Sequence, residues 1–217
     1  MRPARTAGLL LAAGAGRRYG GPKALAHGGQ WLRHALAALV DGGCDPVRVV
    51  LGAGADEAVR LLPSPEVAVV ATDWRHGMSA SLRAGLAALA GPAAPEHREP
   101  VEREPVERER VERESEEPEP ALVAVLVHLV DLPDVGADVV RRLLALAAPR
   151  ALARATYRGT PGHPVLIGRD HWAAVAAAAT GDRGARDWLA ARPDLRLVEC
   201  ADLAAGADRD TPDTSLA

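Results

Sequence analysis

An apolar run that breaks at once into glycine and positive charge constrains this chain more than any other stretch. Leu9-Leu10-Leu11-Ala12-Ala13 leads directly into Gly14. Gly16, Gly20 and Gly21 follow, with Arg17, Arg18 and Lys23 inside or just after the break. A short apolar run bounded by glycine reads as a buried strand. A glycine-rich turn at the end of such a strand brings backbone N–H groups close to an anion. Arginine then meets phosphate as a fork and lysine as a point charge. The stretch therefore implies a polyphosphate site at the carboxyl end of the first strand. Two better-known glycine loops fail here. The dinucleotide fingerprint needs a small third residue, where this chain has Tyr19, and a P-loop needs Gly directly before Lys, where it has Pro22.

The alternation of short strands and helices continues beyond this loop. Gln30 to Asp41 has apolar residues on one helical face and stops at Gly42-Gly43. Val47–Leu51 is a β-branched run, Ala55–Leu62 a short helix ended by Pro63, and Val67–Ala71 a third strand expected to be buried. Ser79, after Gly77, is a candidate N-cap for a helix running through Leu89. Ala121–Val130 is the longest apolar run and should be the central strand. Val139–Ala148 reads as a helix and Arg154–Tyr157 as a strand, and the turn at Gly159-Thr160-Pro161-Gly162-His163 feeds a further strand. A helix is expected from Arg183 to Ala191 with Asp182 as its cap, then a strand over Leu195–Val198. Such alternation implies an α/β fold whose mostly parallel sheet is covered on both faces.

Asp131 follows the central strand, in the crevice where open α/β sheets bind ligands. A carboxylate facing a polyphosphate suits Mg²⁺, which takes one or two carboxylates together with phosphate oxygens. His128, inside the same apolar run, reads as a hydrogen-bonded core or crevice-edge histidine rather than a catalytic one.

The chain has 217 residues, enough for a single domain with a real core. Phe is absent, so Leu and Val must fill most of that core. From Arg98 the sequence repeats every five residues as REPVE, REPVE, RERVE and RESEE. Five matches neither the helical nor the strand period, and at most one Val per unit cannot offset the ordering entropy. Residues 92–120 are therefore expected to be a disordered Glu/Arg-rich insertion in one domain spanning 1–217. Glu96 to Pro120 carries −6 of a total charge of −3, so the remainder is +3. A mildly basic body suits an anionic small molecule and lacks the strongly basic stripe of a nucleic-acid binder. No stretch approaches a membrane span, and the N-terminal apolar run is too short for a secretory signal. A cytoplasmic protein is expected, with no membrane and no nucleic-acid partner. Cys44 and Cys200 are isolated, with neither metal nor disulfide spacing.

Leu11, Ala12, Ala13, Gly14, Arg18, Gly20, Pro22 and Lys23 match the pattern L-A-A-G-x-x-x-R-x-G-x-P-K in order. On these residues the chain resembles the MobA-like NTP transferases. The run Gly77-Met78-Ser79-Ala80-Ser81-Leu82-Arg83-Ala84-Gly85 and the block Gly181-Asp182-Arg183-Gly184-Ala185-Arg186 resemble the molybdenum cofactor cytidylyltransferase branch. Asp208-Arg209-Asp210-Thr211-Pro212 resembles the family's terminal motif. Members usually continue with a further helix, so a shortened last element is expected here. The resemblance implies a Rossmann-like three-layer α/β/α sandwich of the nucleotide-diphospho-sugar transferase type. It implies nucleotide contacts at Leu11, Ala12, Ala13, Gly14, Ala15, Gly16, Lys23, Ser79, Ser81 and Arg83, and catalytic roles for Arg18, Lys23 and Asp131. His163, Asp182 and Arg186 fall on the acceptor side, and Asp131 with Asp208 or Asp210 would hold the metal. The implied reaction moves a nucleoside monophosphate, CMP from CTP foremost, to a phosphorylated acceptor such as molybdopterin, with a molybdoenzyme or chaperone as a further partner. Transfer to another acceptor, or a catalytically silent carrier, remains open on sequence.

Overall fold

The structure, a computed structural model, describes residues 5–91 and 121–209. The expected disordered insertion at 92–120 and the candidate ligand Asp210 lie outside the described residues. In chain order the elements are β1 (Arg5–Ala12), α1 (Ala26–Asp41), β2 (Val47–Leu51), α2 (Ala55–Val59), β3 (Ala68–Val70), α3 (Met78–Ala90), β4 (Leu122–Leu129), α4 (Ala137–Leu144), β5 (Leu152–Tyr157), β6 (Thr160–Gly168), α5 (Trp172–Ala178), α6 (Arg186–Ala190) and β7 (Arg196–Glu199). The strands form one sheet in the order β3-β2-β1-β4-β6-β5-β7. β6 runs antiparallel to β4 and β5, and the other pairs are parallel.

The sheet separates two cores because successive side chains on a strand face opposite sides. From β1, Leu10 and Ala12 face a core with Leu32 and Leu39 of α1 and Val140 and Leu143 of α4. Leu9 and Leu11 face the other core, with Leu82 and Leu86 of α3, Trp172 and Val175 of α5, and Leu189 of α6. This is the expected three-layer α/β/α sandwich, with β4 as the middle strand. Leu126 and Val125 are fully buried on its two faces. No helix among the described residues is long and apolar enough to cross a membrane.

Three sequence expectations need correction. β3 is an edge strand rather than a buried one, and Val70 is 54% exposed. The α3 helix starts at Met78 after Gly77, so Ser79 lies inside its first turn and does not cap it. The helix expected from Arg183 begins only at Arg186, with Ala185 before it and no side-chain cap. Asp182 sits instead in a tight turn, Gly181–Arg183.

The hairpin between β5 and β6 reverses the chain in two residues, Arg158 and Gly159, both at positive φ. That geometry matches the twist of antiparallel strands. Because β6 runs backwards, its first residues, including His163, lie at the carboxyl edge of β4. Glu199 of β7 locks this hairpin. Its carboxylate accepts from the N–H groups of Arg158 (2.8 Å) and Gly159 (3.1 Å), the Thr156 hydroxyl (2.9 Å) and the Ala201 N–H (3.1 Å). The Gly159 and Arg158 N–H groups hold the Glu199 carboxyl at about 2, below its usual 4.5. A folded-state pKa lowered in this way gives stability that is complete above 4.5 and is lost as pH falls toward 2. Glu199→Gln is therefore expected to melt below wild type at neutral pH, with the gap narrowing as pH falls through that window. Thermal melts across the window check this.

Candidate functional site

The glycine loop leaves β1 and opens into a cavity of about 540 Å³, within the usual range of roughly 300–1,000 Å³ for ligand sites. Its shape follows from a single carbonyl. Gly16 O accepts from the N–H groups of Tyr19 and Gly20 at 2.9 Å and of Gly21 at 3.2 Å, closing a turn around Arg17 and Arg18. Gly16 has φ 57°, and a β-carbon there would collide with the Gly21 carbonyl. Only glycine allows this turn without strain. The N–H groups of Gly14, Ala15, Gly16 and Arg17 make no hydrogen bond among the described residues. Consecutive N–H groups of this kind form an anion-binding concavity.

Leu11, Ala12, Ala13, Gly14, Ala15, Gly16, Arg18 and Lys23, named from sequence, all line this cavity, and so do Ser81, Asp131, Asp182 and Asp208. Lys23 lies in a single 3-10 turn after Pro22 and donates to Asp131 Oδ2 at 2.7 Å. The two side chains are 14% and 18% exposed. Asp131 Oδ1 is buried and has no hydrogen-bond partner among the described residues. The segment after β7 returns beside Asp131. The Arg209 N–H donates to the Asp131 carbonyl at 3.0 Å, and the Ala205 and Gly206 N–H groups donate to Asp134 at 2.7 and 3.0 Å. Those bonds bring Asp208 to the cavity lining.

A divalent cation fits this donor set. Asp131 offers an unshared oxygen with Asp208 on the same cavity, and hard carboxylate oxygens suit Mg²⁺ or Mn²⁺. Among the described residues no cluster of three or more His, Cys, Asp or Glu could hold a metal unaided. The remaining positions would then fall to phosphate oxygens and water.

Other sequence candidates sit elsewhere. Ser79 is 2% exposed and does not line the cavity. Arg83 donates to the Ala179 carbonyl at 2.9 Å, tying α3 to the end of α5. Asp182 lines the cavity of the glycine loop. Gly77 makes that approach feasible, because a β-carbon there would strike the Asp182 carboxylate and the Gly181 backbone. His163 and Arg186 line a second, smaller cavity that shares only Leu11 and Met78 with the first. His128 is fully buried with neither ring nitrogen partnered among the described residues. Burial, with His34 nearby, lowers its pKa to about 4; the residue is a core histidine, but not the hydrogen-bonded one expected from sequence.

Sequence reading missed Trp74 and Arg75, which line the first cavity with the Arg75 guanidinium 4.8 Å over the indole. It also missed Tyr19 as a structural piece. The Tyr19 ring packs at a tilt against Trp31, centroids 5.1 Å apart, and its hydroxyl meets His27 Nε2 at 3.1 Å, pinning the loop to α1. The third-glycine position of a dinucleotide loop is thus filled by a ring that anchors the turn.

The sheet order, the glycine loop and the carboxylate after the middle strand define a class of nucleotide-binding α/β proteins. The chain belongs to the MobA-like NTP transferase domain family, whose model matches residues 8–197. It is 35% identical over 216 residues to nicotine blue oxidoreductase of Paenarthrobacter nicotinovorans, covering 94% of this chain and 91% of that protein. Among solved structures it resembles Rv0371c of Mycobacterium tuberculosis H37Rv, with a TM-score of 0.66, 23% identity and coverage of 97% and 95%. Rv0371c has also been solved in complex with manganese, with a TM-score of 0.63, 22% identity and coverage of 91% and 89%. A nucleotidyl transferase from Methanothermobacter thermautotroptrophicus gives a TM-score of 0.64 at 20% identity, covering 92% and 88%. At these identities the structural likenesses speak for the fold alone.

Proposed function

We propose that the chain is a cytoplasmic, metal-dependent nucleotidyltransferase that moves CMP from CTP to a phosphorylated small-molecule acceptor, molybdopterin or its molybdenum cofactor, and releases pyrophosphate. The observation that carries this reading is one cavity holding open N–H groups at Gly14 to Arg17, cations at Arg17, Arg18 and Lys23, and a carboxylate with an unshared oxygen at Asp131.

The open N–H groups and the two arginines receive the phosphates that leave. Lys23 lies against Asp131 and meets the phosphate that is attacked. Asp131 and Asp208 would hold a divalent cation such as Mg²⁺, which would supply positive charge to offset that of the phosphates. Asp182 orders the turn at the cavity wall, while His163 and Arg186 take the acceptor. The protein does little covalent chemistry. It positions two anionic reactants in line and neutralises the charge between them.

The base rests against Met78, Trp74 and the Ser81 hydroxyl. Short hydroxyl and N–H partners satisfy a pyrimidine edge, and a larger purine crowds Met78. A site that pairs one base edge leaves buried polar groups unsatisfied with the wrong base. CTP is therefore expected to bind more tightly than GTP in competition calorimetry with Mg²⁺. Tighter GTP binding would move the protein to a guanylyl specificity.

A second reading, an oxidoreductase on the same fold, is favoured by the name of the 35%-identical relative. Tyr19 at the third position of the glycine loop weighs against a dinucleotide cofactor seated there in the usual manner. Oxidation of a reduced nicotinamide cofactor by this protein, with no pyrophosphate from any nucleoside triphosphate, would establish that second reading.

A further inference from the structure

The second cavity holds about 50 Å³ and lies on the α3 and α6 side of the sheet. Leu82, Val127, Val165, Ile167 and Leu189 make its apolar wall, and all five are buried. Arg154, His163, Arg183 and Arg186 enter this lining, and no Asp or Glu does. Arg183 is answered by Asp187 at 2.9 Å. Arg154 is not answered in that way. It stands in mid-strand on β5, partly buried, and its Nε donates to the Gly162 carbonyl at 2.9 Å. Neither of its terminal nitrogens has a partner among the described residues, and Arg186 has no hydrogen bond or ion pair there.

The partly buried Arg154 guanidinium lies beside an apolar wall, and the exposed Arg186 adds a second positive charge near it. Burial first, then the Arg186 charge, lowers the Arg154 pKa, yet a guanidinium keeps its proton in a protein. The cost persists until an anion joins them. Burial and the Arg154 charge push the His163 ring to about 3, so at neutral pH it adds a hydrogen-bonding group without adding charge.

We propose that this second cavity is an anion subsite, in which Arg154 and Arg186 hold a carboxylate- or phosphate-sized group of the acceptor other than the group that reacts. The assignment to the acceptor rests on the nucleotidyl-transfer reading. The cavity includes neither Lys23 nor Asp131 nor any residue of the glycine loop, so a group seated there is not placed to attack a phosphate on that loop. It meets the first cavity across Leu11 and Met78. The acceptor class this selects is a small molecule that carries, besides the phosphate that reacts, a second anionic group lying beyond those two side chains.

Inorganic phosphate and acetate are the probes. Each is titrated at neutral pH into protein saturated with CTP and Mg²⁺, which fills the first cavity. The His163 ring and the Arg154 Nε–H are followed by NMR. Saturable shifts at both groups are expected, and the tighter probe names the chemistry of the anchored group. Arg154→Gln and Arg186→Gln are each expected to weaken that binding roughly tenfold, with CTP affinity retained and with Arg154→Lys weakened less. Arg186 is exposed, so Arg186→Gln serves alone if Arg154→Gln does not fold. No saturable shift with either probe, or undiminished binding in Arg186→Gln, would overturn the subsite while leaving the nucleotide reading intact. Failure of CTP to bind would overturn that reading and the acceptor assignment with it.

Discussion

Asp131→Asn is expected to stay folded, melting somewhat below wild type because Lys23 loses its charged partner, and to lose metal-dependent turnover by roughly a thousandfold, the loss of several kcal/mol of charge stabilisation. The amide has the carboxylate's shape, and its oxygen still accepts from Lys23, which lies 2.7 Å from Oδ2. The bond that holds the terminal segment goes to the Asp131 main-chain carbonyl and survives the change. What disappears is the negative charge on the unshared Oδ1, the atom best placed to take a cation. Turnover assays beside thermal melts separate the two effects. A wild-type rate in the variant would remove Asp131 from the metal site.

Lys23→Ala is expected to cost both affinity and stability. As a ligand contact alone, Lys23 would affect only affinity. The structure gives Lys23 a partner in the protein, the Asp131 carboxylate. Removing the ammonium leaves that mostly buried carboxylate unanswered. Breaking a fully buried pair costs about 3–5 kcal/mol, and a surface pair is worth at most about 1 kcal/mol. With the two side chains 14% and 18% exposed, a loss of about 1–3 kcal/mol follows after that discount for solvent. Triphosphate affinity should fall roughly tenfold to a hundredfold through the lost charge-assisted contact. The double variant Lys23→Ala/Asp131→Asn should recover part of the stability but none of the turnover. Denaturant melts of both singles and the double measure that coupling, and additive losses would show that the two residues do not pair in solution.

Where one residue type sufficed, the fold was legible in the sequence. Val47–Leu51 could only be a strand buried on both faces, and it pairs with β1 and β3 in the interior. The run before the glycine loop and the run before Asp131 were equally plain, because strands buried on both faces are continuously apolar. Position within the sheet was harder to read. The run at β3 has the same composition as a buried strand, yet it lies at the edge with Val70 exposed. α5 escaped because WAAVAAA buries only Trp172 and Val175 and presents no apolar stripe to recognise.

The site was legible where backbone chemistry carries it. The glycine loop, Lys23, Asp131 and Asp208 gather in one cavity. The contacts carried on α3 were less so. Once the helix begins at Met78, Ser79 and Ser81 stand about 200° apart on it. Ser81 lines the cavity, and Ser79 is buried away from it. Arg154 left a signal that went unread. An arginine in the middle of an otherwise buried strand needs a partner, and the one the chain supplies is the Gly162 carbonyl.

Pyrophosphate release tests the central claim most directly. The protein is incubated with Mg²⁺, a molybdopterin-bearing acceptor fraction and each of the four nucleoside triphosphates in turn, alongside Asp131→Asn. Pyrophosphate should form with CTP above the other three, require both acceptor and metal, and vanish in the variant. Pyrophosphate from none of the four, or an equal amount from Asp131→Asn, would contradict nucleotidyl transfer at this site.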